Sequence, residues 1–274
     1  MSPFFLRVLR PYPRRGEVRA VLFDFDGTLS LIRAGWQEVM IPLMVEIIRE
    51  ETATQESDEE LRAIVTDFVD TLTGRQTIYQ MIRLAEEIAA RGGKPRDPIE
   101  YKRIYHERLE RYIAVRKEEL RTRPEMREKY LVPGSVELLQ MLRGQGLVLY
   151  LASGTDLPYV REECDLLGLT PYFEPHIYGA IDEYWRFSKR QVIRKILTEN
   201  KLHGGSLVAF GDGYVEIEET VRVGGLAVGV VSSEQSRGGV SGWKVRRLRQ
   251  AGAHALIPHY VDTGAIASYL WSPH

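Results

Sequence analysis

Two carboxylates one residue apart, Asp24 and Asp26, stand in the run Asp24-Phe25-Asp26-Gly27-Thr28, directly after an apolar segment. A carboxylate at the end of a strand can attack phosphorus. A second one beside it can protonate the leaving oxygen, provided the two sit in different environments. Gly27 permits a tight turn, and the Thr28 hydroxyl is placed to support it or to meet a substrate. The same run could be a plain polar turn or part of a calcium loop. A calcium loop needs more oxygen ligands and a closing glutamate, which Leu29, Ser30, Leu31 and Ile32 do not supply.

Three further clusters carry chemistry. Ser153-Gly154-Thr155 ends a second apolar segment ahead of a helical one, where a hydroxyl and backbone N–H groups can hold phosphoryl oxygens, or can simply cap a helix. Lys189 opens a helical stretch, a position where a cation opposes the helix dipole unless an anion partners it; with Arg190 it could also be a solvated basic pair. Asp212, in Gly211-Asp212-Gly213, and Glu216 one helical turn later could face one cation, and hard carboxylate oxygens are what magnesium takes. Gly-Asp-Gly is equally a common turn.

The periodicity supplies elements that can position these groups. Residues 18–24 have the β-rich character of a buried strand. Between 33 and 127 the pattern is helical: Trp36, Val39, Met40, Leu43, Met44, Ile47 and Ile48 fall at three-four spacing, Pro42 is expected to kink or restart that helix, and further helices are predicted over 58–72, 76–91 and 98–120. From Pro133 onward helix and strand alternate, with strands predicted at 147–152, 177–180, 207–210, 226–231 and 255–257 and helices at 133–143, 157–167, 189–199, 215–223 and 243–251. This predicts an α/β fold: a Rossmann-like, parallel sheet core with helices on both faces, built from residues 1–32 and 131–274. Residues 33–130 are then an inserted α-helical cap domain, expected over the carboxyl ends of the strands, where open α/β sheets bind ligands.

The four clusters, in this order, resemble the haloacid dehalogenase superfamily of phosphatases, over residues 18–33 and 133–260, with the Asp24–Thr28 run as the specific signature. The resemblance implies that Asp24 is nucleophile and metal ligand, that Asp26 is the acid/base and lends a backbone oxygen to the metal, that Ser153 and Lys189 hold the phosphoryl group, and that Asp212 completes a Mg2+ site. Glu216 stands where the family often has an aspartate. The helical insertion resembles the cap type associated with small phosphorylated metabolites, as in phosphoglycolate phosphatase and β-phosphoglucomutase. Within it, Gly74 and Arg75 are the candidates for a substrate-facing turn, Arg75 gripping a second anionic group. A sugar-phosphate phosphomutase of the same superfamily is the alternative that the core motifs leave open, and a non-catalytic binding module that keeps the fold is the alternative from another class, disfavoured because every required group is present.

Composition narrows the remaining classes. The 274 residues are 44% hydrophobic and 27% charged, the balance of a folded globular chain. With 37 Lys+Arg against 38 Asp+Glu, no overall field favours nucleic acid or an anionic membrane. The single cysteine, Cys164, between Glu163 and Asp165, forms no internal disulfide and is expected to pack rather than react. No apolar run approaches the length of a membrane span, and Arg7 and Arg10 interrupt the segment 4–9 too early for a signal peptide, so a cytoplasmic chain with a short N-terminal lead-in is expected. His254 and His259 are expected to be structural.

Overall fold

The computed structural model describes residues 5–13 and 16–271; the start of the N-terminal lead-in, 1–4, lies outside the described residues. Among the described residues seven strands form one sheet: β1 (Arg7–Val8), β2 (Ala20–Phe23), β3 (Val148–Asp156), β4 (Ile177–Ala180), β5 (Leu207–Gly211), β6 (Leu226–Val230) and β7 (Ala255–Ile257). Their order is β1-β7-β6-β5-β2-β3-β4, and every pairing is parallel except that of β1 with β7. The predicted parallel core is therefore present. One correction concerns its edge: Arg7 and Val8, expected in a lead-in, pair with Leu256 and Ala255 as an antiparallel strand. Two residues carry no readable alternation.

All four residues of β2, Ala-Val-Leu-Phe, are buried, as a central strand covered on both faces requires. Phe23 is in register with Leu151 of β3 and Phe210 of β5, and its ring stacks on that of Phe210 at 5.0 Å. The chain order reverses on either side of β2, so Asp24 emerges at the switch point of the sheet.

The helices are α1 (Trp36–Glu51), α2 (Asp58–Leu72), α3 (Thr77–Ala90), α4 (Pro98–Thr122), α5 (Ser135–Gly144), α6 (Leu157–Leu167), α7 (Thr170–Phe173), α8 (Lys189–Glu199), α9 (Tyr214–Arg222), α10 (Gly242–Gln250) and α11 (Thr263–Trp271). Contacts divide the chain into two compact units, Gly35–Arg116 and the residues on either side of it. In the first, α2 opens with a capping box: Ser57 Oγ accepts the Glu60 N–H, and the Glu60 carboxylate accepts the Ser57 N–H at 2.7 Å. Pro42 does not restart α1, which runs unbroken for 16 residues. The lost hydrogen bond and ring clash cost about 3 kcal/mol, and burial of Met40, Leu43, Met44, Val45, Ile47 and Ile48, at about 1.5–3 kcal/mol each, outweighs it.

At the boundary of the sheet unit, Glu163 on α6 is fully buried and binds both mouths of the inserted segment. Arg33, just before it, donates through Nη2 at 2.7 Å and Nε at 3.0 Å, and Lys117, just after it, reaches the same carboxylate at 3.4 Å. The Tyr159 ring lies 5.3 Å from the Arg33 guanidinium and 5.7 Å from the Lys117 ammonium, adding a cation–π contact to each.

Candidate active site at the carboxyl ends of the strands

Asp24 follows β2, and its N–H continues the ladder to the Phe210 carbonyl at 3.0 Å. Its Oδ1 accepts the Phe25 N–H at 2.8 Å, and its Oδ2 lies 2.7 Å from Lys189 Nζ. Lys189 is the first residue of α8, behind Ser188, whose Oγ caps the helix by accepting the Gln191 N–H. The dipole penalty anticipated for it is offset by two buried carboxylates, since Lys189 Nζ also donates to Glu216 Oε2 at 2.7 Å. Burial alone would lower the Lys189 pKa, but Asp24 and Glu216 raise it on balance, so the ammonium is kept. Burial pushes Asp24 well above the ordinary carboxylate range, against the pull of Lys189.

Asp212 leaves the end of β5 with its N–H donated to Thr28 Oγ1 at 3.0 Å, which ties the β5–α9 turn to the loop after β2. The turn leaves Gly27 at φ 69°, the left-handed region that favours glycine, and any side chain there would overlap Asp212 Oδ2. Carboxylate oxygens of Asp24, Asp212 and Glu216 lie within 4.8 Å of one another, a hard-oxygen donor set that fits a divalent cation of the magnesium type. Both oxygens of Glu216 are already committed, one to Lys189 and the other to the Gly213 N–H at 2.7 Å. Its first task is to anchor Lys189.

Asp26 sits apart from this cluster. Its Oδ2 accepts from Thr155 Oγ1 at 2.8 Å and from Ser153 Oγ at 3.3 Å, while Arg33 Nε stands 3.9 Å from Oδ1, which is buried without a hydrogen bond. Burial raises its pKa to about 6; Arg33 pulls down, Glu163 pushes up and the Thr155 bond pulls down. The two aspartates thus occupy different environments, one against an ammonium and one against hydroxyls.

Ser153, Gly154 and Thr155, read as the end of the strand predicted at 147–152, lie within β3, which continues to Asp156 through a register shift against β4. The irregularity re-aims the strand end, so that the Ser153 and Thr155 hydroxyls both reach Asp26. Gly74 and Arg75 belong to the helical unit: Gly74 is left-handed at φ 98°, and the Arg75 guanidinium lies 5.6 Å from the Tyr79 ring. His254 accepts the Ala227 N–H at Nδ1 and meets the edge of Tyr12. Cys164 is fully buried, its thiol pushed up by burial.

Several residues at the site carry no sequence forecast. Tyr260 OH donates to the Thr28 carbonyl at 2.9 Å and Ser232 Oγ to the Gly27 carbonyl at 2.5 Å, bracing the loop from β7 and β6. Lys244 places its ammonium 2.7 Å from Asp212 Oδ2 and 3.0 Å from Glu234 Oε1. The signal for it was available: Lys244 stands in the first turn of α10 behind the capping Ser241, the same awkward place for a cation that singles out Lys189.

Residues 18–224 match the family model of the haloacid dehalogenase-like hydrolases, and the chain belongs to that family. No curated protein matches it. Its fold is shared with a predicted phosphoglycolate phosphatase from Haemophilus somnus, at 15% identity and a TM-score of 0.60 over 91% of this chain and 98% of that one. The β-phosphoglucomutase of Clostridium difficile follows at 13% identity and 0.58, over 89% and 92%. The protein CbbY of Rhodobacter sphaeroides, solved with xylulose 1,5-bisphosphate, matches at 19% identity and 0.56, over 90% and 96%. Among the described residues no helix is long and apolar enough to cross a membrane.

Proposed function

We propose that this hydrolase removes phosphate from a small phosphorylated metabolite through an aspartyl-phosphate on Asp24. The observation that carries the reading is the separation of the two aspartates: Asp24 is held by Lys189 beside Asp212, and Asp26 is held by Thr155 with a pKa of about 6. An Asp24 oxygen attacks phosphorus and the bond to the ester oxygen breaks, while protonated Asp26 gives its proton to that oxygen. In the second half Asp26 takes a proton from water, the water oxygen attacks phosphorus, and inorganic phosphate leaves Asp24. A group that titrates near 6 can serve in both directions around neutral pH. Lys189 pulls the Asp24 pKa down against burial and offers its charge to the phosphoryl oxygens. Ser153 and Thr155 orient Asp26.

Asp24, Asp212 and the Asp26 backbone oxygen, with Glu216 behind them, would hold Mg2+. When bound, the ion supplies positive charge to the phosphoryl oxygens. Thr28, in the loop after β2, and Gly154, within β3 between the two hydroxyl residues, are the sheet's candidates for substrate contact, and Gly74 with Arg75 are the helical unit's candidates for the organic part of the substrate.

The test is phosphate release from a panel of phosphorylated sugars and small esters, with magnesium and with excess chelator. Release is expected only with the metal, and Asp24→Asn is expected to lose at least on the order of 10⁴-fold in kcat while staying folded. Full activity in chelator, or an Asp24→Asn variant within tenfold of the parent, ends the reading. The β-phosphoglucomutase likeness makes isomer formation the second reading. A product that is an isomeric sugar phosphate, formed without free phosphate, would decide for it.

A further inference from the structure

We propose that Lys244 sets how tightly the site holds its divalent cation, by competing with that cation for Asp212. The inference rests on the reading of Asp212 as a cation ligand. Its basis is the near-repetition of one arrangement at two places. Lys189 lies between Asp24 and Glu216, and Lys244 lies between Asp212 and Glu234, each a nearly buried ammonium shared by two carboxylates at 2.7–3.0 Å. Both lysines stand in the first turn of a helix behind a capping serine, where the helix itself disfavours a cation, so in both cases the carboxylates hold the charge there.

The two differ in what they neutralise. Lys189 sits on the attacking carboxylate, where a positive charge helps the phosphoryl oxygens. Lys244 sits on a carboxylate whose one proposed task is to bind the cation, whereas Asp24 also attacks phosphorus, so at Asp212 the positive charge only opposes the task. It is not remote from the reacting groups: a side chain built on Gly27, in the loop that carries Asp24 and Asp26, would come within 2.9 Å of Lys244 Nζ. An ammonium against Asp212 Oδ2 repels a divalent ion that approaches the same carboxylate, strongly so in a dry place. Entry of the ion is therefore expected to loosen Lys244 from Asp212. Glu234, already 3.0 Å from Lys244 Nζ, is the group that retains the displaced ammonium. The arrangement leaves no buried Asp212 charge uncompensated in the cation-free protein, and cation affinity is lowered in return.

The experiment measures Mn2+ binding to the full-length protein without substrate, by calorimetry and by the EPR signal of free Mn2+, with thermal melting to establish folding. Lys244→Met is expected to bind Mn2+ at least about tenfold more tightly than the parent. Glu234→Gln, which leaves Lys244 only Asp212 as a charged partner, is expected to bind several-fold more weakly. The double variant should match Lys244→Met, because the effect of Glu234 passes through the lysine. Unchanged or weaker binding by Lys244→Met, in a protein whose parent binds Mn2+ through Asp212, overturns the inference and leaves the cation reading standing. Absence of binding by the parent, or binding by Asp212→Asn equal to it, overturns both. Should Lys244→Met fail to fold, Lys244→Gln carries the same expectation with a polar chain of similar length.

Discussion

In the helical unit charges meet at the surface: Arg108 pairs with Glu46 at 2.6 Å and Arg49 with Asp58 at 2.8 Å, on side chains 36% to 81% exposed. At the carboxyl ends of the strands, Lys189, Asp24 and Glu216 meet at similar distances on side chains no more than 8% exposed. Equal geometry has unequal consequences. Exposed pairs are screened by water and contribute about 0–1 kcal/mol. Buried ones carry a desolvation cost of several kcal/mol per ion, and hydrophobic packing of the same volume would often be as stable. Where such a cluster persists next to two aspartates, the reason to look for is chemical.

The largest expected effect tests that contrast directly. Lys189→Met leaves Asp24 and Glu216 facing one another without a cation, and should cost roughly 3–5 kcal/mol of stability by denaturant unfolding, together with at least about 10³-fold in kcat. A variant within about 1 kcal/mol of the parent would erase the distinction between the regions. Asp26→Asn is next, expected to slow single-turnover phosphorylation of Asp24 by roughly 10²–10⁴-fold with an alkyl phosphate and much less with p-nitrophenyl phosphate, whose leaving group needs no proton, while the later attack of water slows alike for both. Equal losses on the two esters would remove Asp26 from the acid role.

A smaller effect should appear at His254, a buried group away from the aspartates. Burial and the charge of Arg10 lower its pKa from 6.5 to about 4. The unfolded chain therefore takes up this proton from about pH 6.5 downward while the folded chain does not, so the contribution is complete above 6.5 and is lost as pH falls to about 4. Melting temperatures measured across that window should fall, and His254→Gln should flatten the fall; parallel curves would contradict the assignment. Smallest of all, Arg108→Ala should change stability by less than about 1 kcal/mol, and less still at high salt. A loss of several kcal/mol would show the helical unit to depend on its surface charges.

The legible parts of the molecule were those written in short-range patterns. The unbroken apolar run of β2, the three-four spacing of α1 and the alternation after Pro133 each follow from burial on two faces or on one. The strands at 177–180 and 255–257 and the helices at 157–167 and 189–199 fall where the periodicity puts them. Asp24, Asp26, Asp212 and Lys189 stood out because strand ends and helix starts are readable, and the fold brings Asp24, Lys189 and Asp212 close together. What failed to show was settled at long range. Ser153 and Thr155 are small polar residues of loop character, and they fall within the strand because β3 pairs with β4 again at Asp156, beyond a register shift. Arg33 and Glu163 are separated by 130 residues, with nothing in the sequence to join them. Lys244 lay inside a helix predicted only as part of the alternation after Pro133, although its first-turn position could have been weighed as that of Lys189 was.

The Glu163 carboxylate has an architectural consequence. Seen from the sheet, Gly35–Arg116 is one very long loop, and closing a flexible loop costs only about 0.6 kcal/mol more for each doubling of its length. Arg33 and Lys117, at its two mouths, are pinned to the same buried group, so the path of the chain into and out of the insertion is fixed by residues that remain with the sheet. The helices between them can be lengthened, shortened or exchanged for others while the sheet keeps its register, so that one catalytic frame is able to carry many different insertions over evolutionary time.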